Sequence, residues 1–202
     1  MISLSEIDTT AKRASRSLGF SWGISEEIGK NTKLSELFGI KGVKNLIKYF
    51  EIYKSKQFQN ISLISEYNKS SISYCPIMLG VNFIDQIHII NNFKIIEFEN
   101  ISFPLLFLPF VSRSSEVIGK KIYIKIDENE FLLNFNQSIF FNGVNFEIIE
   151  NAKNISIKIL DNSNSFNKEE WEKLYKLSED TFVEETDKLK EKAAGAGLTD
   201  ND

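Results

Sequence analysis

The chain has 202 residues, of which 42% are hydrophobic and 26% charged, and its net charge at pH 7 is −4. This length suits one domain with a sizeable core, and the lack of a basic stripe disfavours nucleic-acid binding. The single cysteine excludes an intramolecular disulfide framework. Residues 1–10 lack the pattern of a signal peptide, and no apolar run is long enough to span a bilayer, so we expect a cytoplasmic protein.

Apolar residues recur at intervals of three or four in three N-terminal stretches, a spacing typical of amphipathic helices. In the first of them, Leu4, Ile7 and Ala11 share one face. Gly19 and Gly39 follow two of these stretches and favour the ends of helices. We therefore predict helices at about residues 3–18, 24–38 and 42–55.

The period changes at about residue 61, where short apolar runs begin to follow one another without helical spacing. Ile122, Ile124 and Ile126 alternate with other residues, as expected of a strand with one buried face. Successive strands favour a mostly antiparallel sheet over about 61–160, and hence the α+β class. The predicted strands are 72–79, 93–98, 104–111, 121–126, 131–135, 144–149 and 155–160, and residues 82–90 fit either a strand or a short helix.

The C-terminal part of the chain begins with a turn-rich linker. Turn-forming residues at 161–167 precede a helix predicted at about 167–182, with Asn167 as its N-cap. Residues 193–202 then form a Gly/Ala-rich tail with the sequence AAGAGLTDND. We therefore predict a single α+β domain at 1–192, followed by this tail.

Arginine is rare in this chain, because only Arg13, Arg16 and Arg113 are arginines among its 24 basic residues. Arg13 and Arg16 lie opposite the apolar stripe of the first predicted helix, and Arg113 follows the apolar run at 104–111. A guanidinium group offers a planar fork for a carboxylate or phosphate, so all three are candidates for anion binding. The alternative is that they are solvated surface charges.

Between the first two predicted helices, the sequence WGISEE places Trp22 close to two carboxylates, Glu26 and Glu27. Trp22 is either a packing anchor of this corner or a surface on which a ligand stacks. We expect the two carboxylates in the first turn of the second helix, where the helix dipole favours negative charge. If the protein is an enzyme, Glu26 and Glu27 are candidate catalytic residues at the point where this corner meets the sheet.

Cys75 and His88 are the only residues of their types. A thiol activated by a nearby base can act as a nucleophile, which makes Cys75 a third catalytic candidate, although in this apolar segment an inert buried thiol is the commoner outcome. Asp85 and His88 would share a helical face, but zinc needs further ligands that no Cys/His cluster supplies. Because P-loop, dinucleotide-binding and GxSxG motifs are also absent, we expect neither a metal nor a cofactor.

The tail combines small residues with negative charge. Gly195 and Gly197 give its backbone freedom to follow a surface closely, and Leu198 is an apolar anchor. Asp200, Asp202 and the terminal carboxylate supply the charge. Either the tail is disordered, as Gly-rich termini usually are, or Leu198 enters a pocket while the carboxylates meet the arginines.

The N-terminal segment SLSEIDTTAKRASRSLGFSWGISEEIG contains Arg-x-x-Gly followed by Trp-Gly-x-x-Glu-Glu. Together with the Gly/Ala-rich ending, this segment resembles a family of uncharacterised bacterial proteins, a domain-of-unknown-function family. Cys-Pro at 75–76 and Pro-Leu-Leu at 104–106 also resemble family positions. The resemblance implies kinship without a known activity, and the sequence departs from the family at 183–192, where the resemblance implies a Pro- and Arg-containing stretch.

These features favour a cytoplasmic protein, expected to be a homo-oligomer, that binds an anionic small molecule or a partner through its arginines and its tail. One alternative is an enzyme acting on a small molecule, which needs a polar pocket with a perturbed carboxyl or thiol. Another is an accessory subunit of a larger complex, which needs an exposed apolar patch. We expect no nucleic-acid or membrane partner.

Overall fold

Three helices form the N-terminal part of the fold, and their existence confirms the sequence prediction. The computed structural model describes residues 2–134, 136–142 and 148–181. In it α1 spans Leu4–Ser17, α2 spans Trp22–Leu37 and α3 spans Gly42–Tyr53.

Serine caps fix where the first two helices begin. The Ser3 hydroxyl accepts a hydrogen bond from the Glu6 backbone N–H at 3.1 Å, and the Ser21 hydroxyl accepts one from Ile24 at 3.4 Å. At the other end of α1, Gly19 has a φ of 97°, a left-handed conformation that glycine adopts without steric cost. Of these signals the sequence prediction used only Gly19; the Ser21 cap was not recognised, and the predicted start of α2 lies two residues after its actual start.

A six-stranded sheet follows the helices and confirms the α+β class. Its strand order is β1-β2-β6-β3-β4-β5, and every pairing is antiparallel except that of β1 with β2. The strands are β1 (Tyr67–Asn68), β2 (Ile96–Ser102), β3 (Lys121–Ile126), β4 (Asn129–Asn134), β5 (Ser138–Phe141) and β6 (Asn151–Leu160).

Two of the predicted strands are wrong, because helices occupy most of those residues. The segment predicted as a strand at 72–79 leads into α4 (Pro76–Asp85), and that at 104–111 forms a 3-10 turn (Pro104–Leu106) and the start of α6 (Leu108–Ile118). A buried helix is apolar on most sides, so it shows no amphipathic period that would distinguish it from a buried strand. Proline at the first turn of each segment was the available signal.

The other strand predictions had mixed outcomes. Residues 121–126 were predicted correctly, and 131–135 and 155–160 overlap β4 and β6. The strand predicted at 93–98 shares only residues 96–98 with β2, and β5 was not predicted. Most of the predicted strand at 144–149 lies outside the described residues. The ambiguous segment at 82–90 is helical, ending α4 and forming α5 (Ile87–Ile90).

The core lies where the helices pack on the sheet. α6 packs against α4, β3 and β4. The alternating residues Ile122, Ile124 and Ile126 of β3 are completely buried. Phe110 of α6 is also completely buried, and its ring lies against Gly80 of α4. This crossing of two helices depends on the missing side chain at Gly80.

The described chain divides into two compact units, of which the first ends at Asn162. In the second, α7 (Lys168–Glu179) begins with Asn167 as its N-cap, as predicted, and Asn167 and Glu170 form a reciprocal capping box. The tail residues singled out in the sequence lie outside the described residues, as does the predicted domain boundary after residue 192. The tail residues are Gly195, Gly197, Leu198, Asp200 and Asp202.

Candidate functional site

An apolar groove of about 370 Å³ runs between α1 and α3. Ala11 of α1 and Leu46 of α3 are buried in it, whereas Val43 and Ile47 remain 39% and 54% exposed at its edge. An edge of large aliphatic side chains in water is unfavourable unless something covers it. The groove is therefore the surface of the helical part that is best suited to receive another molecule.

Two close helix contacts form the groove. A Cβ atom at Gly29 of α2 would lie only 2.7 Å from the backbone oxygen of Asp8 in α1. A Cβ atom at Gly42 of α3 would lie 2.9 Å from the backbone oxygen of Thr32 in α2. Both outer helices thus pack tightly on α2, and the groove is the space left between them. Its α1 wall is low because Ala11 and Ala14 line it.

The interior of the groove offers no free polar group on α2. Thr32 lines the groove, but its hydroxyl donates to the Ile28 carbonyl of its own helix at 2.7 Å. The other polar side chains that line it, Glu6 and Thr10, are exposed on α1. The groove therefore has an apolar interior with polar groups along one edge.

Arg13 does not line the groove itself but lies on α1 one helical turn after Thr10, which does. It is exposed, and no hydrogen bond or ion pair engages it within the described part of the chain. It follows Thr10 by three residues on α1, so the two side chains are neighbours on the helix surface. Among the three arginines, Arg13 is the one whose guanidinium group is left available to a ligand.

Arg16 serves the corner between α1 and α2 instead. Its Nη1 donates to the backbone carbonyl of Phe20, and its guanidinium group lies 4.6 Å from the centre of the Trp22 ring. Trp22 is itself 65% exposed. The Arg-x-x-Gly and Trp-Gly pattern thus has a structural explanation, because Arg16 and Trp22 contact each other across the turn at Gly19.

Arg113 pairs with Glu27 and joins α6 to α2. Its Nη1 donates to Glu27 Oε2 and lies 3.4 Å from Asn31 Oδ1, while Lys30 Nζ lies 3.0 Å from Glu27 Oε1. Burial raises the pKa of Glu27, but the hydrogen bonds and positive charges of Arg113 and Lys30 outweigh burial, so the net pKa is lowered. Glu27 is therefore held as a carboxylate by a structural partner.

The expectation that Glu26 and Glu27 lie in the first turn of their helix was wrong. α2 begins at Trp22, two residues before the predicted start, so both lie beyond the first turn. Glu26 forms an ion pair with Lys12 of α1 at 3.6 Å. Contacts with neighbouring helices therefore explain this pair of carboxylates better than the helix dipole does.

Replacing Arg113 by methionine is expected to lower the free energy of unfolding at pH 7 by about 1–2 kcal/mol, because Glu27 then keeps Lys30 alone. Since folding lowers the Glu27 pKa from 4.5, this stabilisation is complete above pH 4.5 and is lost as the pH falls through the folded-state pKa. Urea unfolding should therefore show a smaller difference at pH 3. Lys120→Met, which removes an ion pair to the exposed Asp161, is the control and should change little. A pH-independent effect of Arg113→Met would contradict this account.

Cys75 is the N-cap of α4 and lies in the core with 3% of its surface exposed. Its Sγ lies 3.0 Å from the Tyr49 hydroxyl and accepts a hydrogen bond from the Met78 N–H at 3.4 Å. Burial raises the pKa of the thiol in spite of these hydrogen bonds. His88, by contrast, is exposed on α5. The structure thus gives Cys75 a tyrosine partner and a protonated state at neutral pH.

We expect Cys75 in the folded protein to react with 5,5′-dithiobis(2-nitrobenzoate) at least about 100-fold more slowly than in 6 M guanidinium chloride, because the reagent needs an exposed thiolate. The released thionitrobenzoate measures the rate. A Cys75→Ala/Ser62→Cys variant, with its thiol at an exposed position, should react rapidly while folded. Rapid labelling of Cys75 in the native protein would show that the thiol is accessible.

In the described part of the chain, no cluster of three or more His, Cys, Asp or Glu side chains could hold a metal ion. Asp85 and His88, which would have shared a helical face, are both exposed, and α4 ends at Asp85. None of the helices described is both long enough and apolar enough to cross a bilayer.

The sequence pointed to Arg13 as one of three candidate arginines and did not predict the groove. The apolar residues Val43, Leu46, Ile47 and Phe50 of α3 all line the groove, so they share one side of that helix. Only the folded arrangement shows that Ile47 keeps 54% of its surface exposed. The available signal was the width of this apolar face, which exceeds what one neighbouring helix can bury.

Comparison with known proteins places the groove in a recognised but uncharacterised region. Residues 2–74 match the model of a family described as "Protein of unknown function (DUF3726)", which confirms the resemblance to an uncharacterised family over this segment. The match includes α1, α2 and α3, and therefore both walls of the groove and the Arg16–Trp22 corner. Neither a curated protein nor a solved structure was found to match the chain.

Proposed function

We propose that this protein is a cytoplasmic binding protein and that the groove between α1 and α3 is its binding site. The observation that carries the proposal is the exposure of Val43 and Ile47 beside an apolar interior of about 370 Å³. That volume is within the range of about 300–1,000 Å³ typical of small-molecule sites. Covering aliphatic surface of this kind yields about 25 cal/mol per Å² removed from water, which favours binding of an apolar guest.

The residues considered for catalysis support a binding role more than an enzymatic one. Glu27 is neutralised by Arg113 and Lys30, Glu26 pairs with Lys12, and Cys75 is buried. A catalytic carboxyl or thiol needs a free position facing a pocket. The groove, in contrast, has an interior of apolar and small side chains, and its one carboxylate, Glu6, is exposed to water at the edge.

The test is binding of the uncharged fluorescent probe N-phenyl-1-naphthylamine. We expect the native protein to bind it and Ile47→Glu to weaken binding at least about tenfold, because the new carboxylate would have to be desolvated by an apolar ligand. Ile89→Glu, the same change at a 61% exposed isoleucine outside the groove, is the matched control. Circular dichroism should show both variants folded.

Two outcomes would overturn the proposal. One is a native protein that does not bind the probe, and the other is equal loss of binding in Ile47→Glu and Ile89→Glu. Sedimentation measurements on the same variants also test the predicted homo-oligomer. If Ile47→Glu alone converts an oligomer to monomers, a second copy of the chain occupies the groove in place of a small guest.

A further inference from the structure

We propose that the guest of this groove is a single-chain amphipathic anion, with its hydrocarbon chain between α1 and α3 and its head group on Arg13. This inference rests on the proposed function and adds the chemical class of the ligand. Three features carry it: the apolar interior, the distribution of charge along α1, and the free guanidinium group of Arg13.

The interior selects an apolar body. Thr32 uses its hydroxyl within its own helix, and the remaining inner surface is formed by side chains such as Ile7, Leu46 and Phe50. A polar group placed there would lose its hydrogen bonds to water without replacement, at a cost of about 1–3 kcal/mol. Any polar part of the ligand must therefore lie at the edge.

The charges on α1 give the ligand a direction. The Glu6 carboxylate lines the groove near its Ile2 end, and Arg13 lies seven residues further along the helix. At 1.5 Å per residue the two positions are separated by about 10 Å along α1. An anionic head group is repelled at the Glu6 end and attracted at the Arg13 end, so the hydrocarbon chain extends toward Ile2.

Arg13 is suited to the head group because no acidic side chain pairs with it in the described part of the chain, whereas the other basic side chains of α1 have partners. Lys12 pairs with Glu26 at 3.6 Å, Arg16 clasps the Phe20 carbonyl, and Arg13 is left exposed without a partner in the described chain. Its planar fork can bind a carboxylate through two parallel hydrogen bonds. Thr10, one turn before it, adds a hydroxyl that can donate to the same head group.

Three ligands with the same hydrocarbon chain separate the contribution of the head group to affinity from that of the chain. Dodecanoate, 1-dodecanol and dodecylammonium are each titrated, below their micellar concentrations, against N-phenyl-1-naphthylamine bound to the full-length protein. We expect dodecanoate to bind about fivefold more tightly than the alcohol, since an exposed charge-assisted contact contributes about 1 kcal/mol, and the amine to bind least tightly.

The variant Arg13→Gln should bind the probe and dodecanol as the native protein does, while dodecanoate loses its advantage. Lys94→Gln removes an exposed positive charge outside the groove and should leave the preference intact. Equal affinity for dodecanoate and dodecanol in the native protein, or an unchanged preference in Arg13→Gln, would overturn this inference. If the probe binds and Ile47→Glu abolishes its binding, those results leave the groove as the site and remove only the anionic ligand. Absence of probe binding overturns the proposed function itself.

Discussion

Replacing Gly80 by alanine is expected to lower the free energy of unfolding by about 2–3 kcal/mol. The added Cβ would overlap the ring of Phe110, and even the third nearest ring atom would be 2.8 Å away. Phe110 is completely buried in α6, so its ring cannot turn into solvent. Alanine favours a helix over glycine by about 1 kcal/mol, which offsets only part of this overpacking.

Gly23→Ala is the matched control for that experiment. Gly23 also lies inside a helix, and a Cβ atom there would meet nothing within 4 Å. Alanine should therefore stabilise the protein at position 23, by about 0.5–1 kcal/mol. Urea unfolding of the two variants should give opposite signs, and two destabilised variants would mean that the packing around Gly80 is not the cause.

A double variant isolates the contact. Gly80→Ala combined with Phe110→Leu should be less destabilised than the sum of the two single changes, because the smaller side chain leaves room for the new methyl group. Additive effects would show that Gly80 and Phe110 do not act on each other. A non-additive result would measure the interaction energy between Gly80 and Phe110 at the crossing of α4 and α6.

Local signals account for the part of the fold that could be predicted from the sequence. Ser3 and Ser21 accept hydrogen bonds from the first turns of α1 and α2, and such caps depend only on neighbouring residues. The alternation of Ile122, Ile124 and Ile126 gave β3 with correct ends because one face of that strand is buried throughout. Where an element interacts mainly with itself or with one surface, the sequence is sufficient to predict its type and position.

The errors occurred where several layers bury one element. α6 buries Ser112, Ser114 and Ser115 together with its apolar residues, and these buried polar residues obscure the helical period. Arg113 was accordingly placed at the end of a strand, whereas it lies on α6 and reaches Glu27 of α2. Composition could identify this arginine as unusual but not its partner, which is 86 residues away in the chain.

Part of the candidate site could likewise be anticipated from the sequence, and part could not. The low frequency of arginine drew attention to Arg13, Arg16 and Arg113 alike, and helical spacing placed Arg13 and Arg16 away from the apolar stripe of α1. The groove itself depends on how closely α1 and α3 each approach α2, which is a property of the contacts at Gly29 and Gly42. A sequence pattern records that a glycine is present, but not which backbone atom lies against it.

Replacing Gly29 by alanine should therefore affect both stability and binding. The new Cβ would lie 2.5 Å from the Asp8 carboxylate and 2.7 Å from the Asp8 backbone oxygen, and the backbone atom can yield only if α1 moves away from α2. We expect the free energy of unfolding to fall by about 2 kcal/mol. We also expect the distance between α1 and α3 to change, because α1 is displaced from α2. Because α1 is one wall of the groove, affinity for N-phenyl-1-naphthylamine should change as well.

Gly23→Ala again serves as the control, since it lies on α2 without touching α1 and should leave probe affinity unchanged. The two readouts separate two explanations of the groove. If Gly29→Ala destabilises the protein and alters probe binding, the close approach at Asp8 sets the width of the site. If the protein is destabilised but binds the probe with native affinity at temperatures where it is folded, the probe does not lie between α1 and α3. In that case the glycine contact explains the packing of α1 on α2 and not the site.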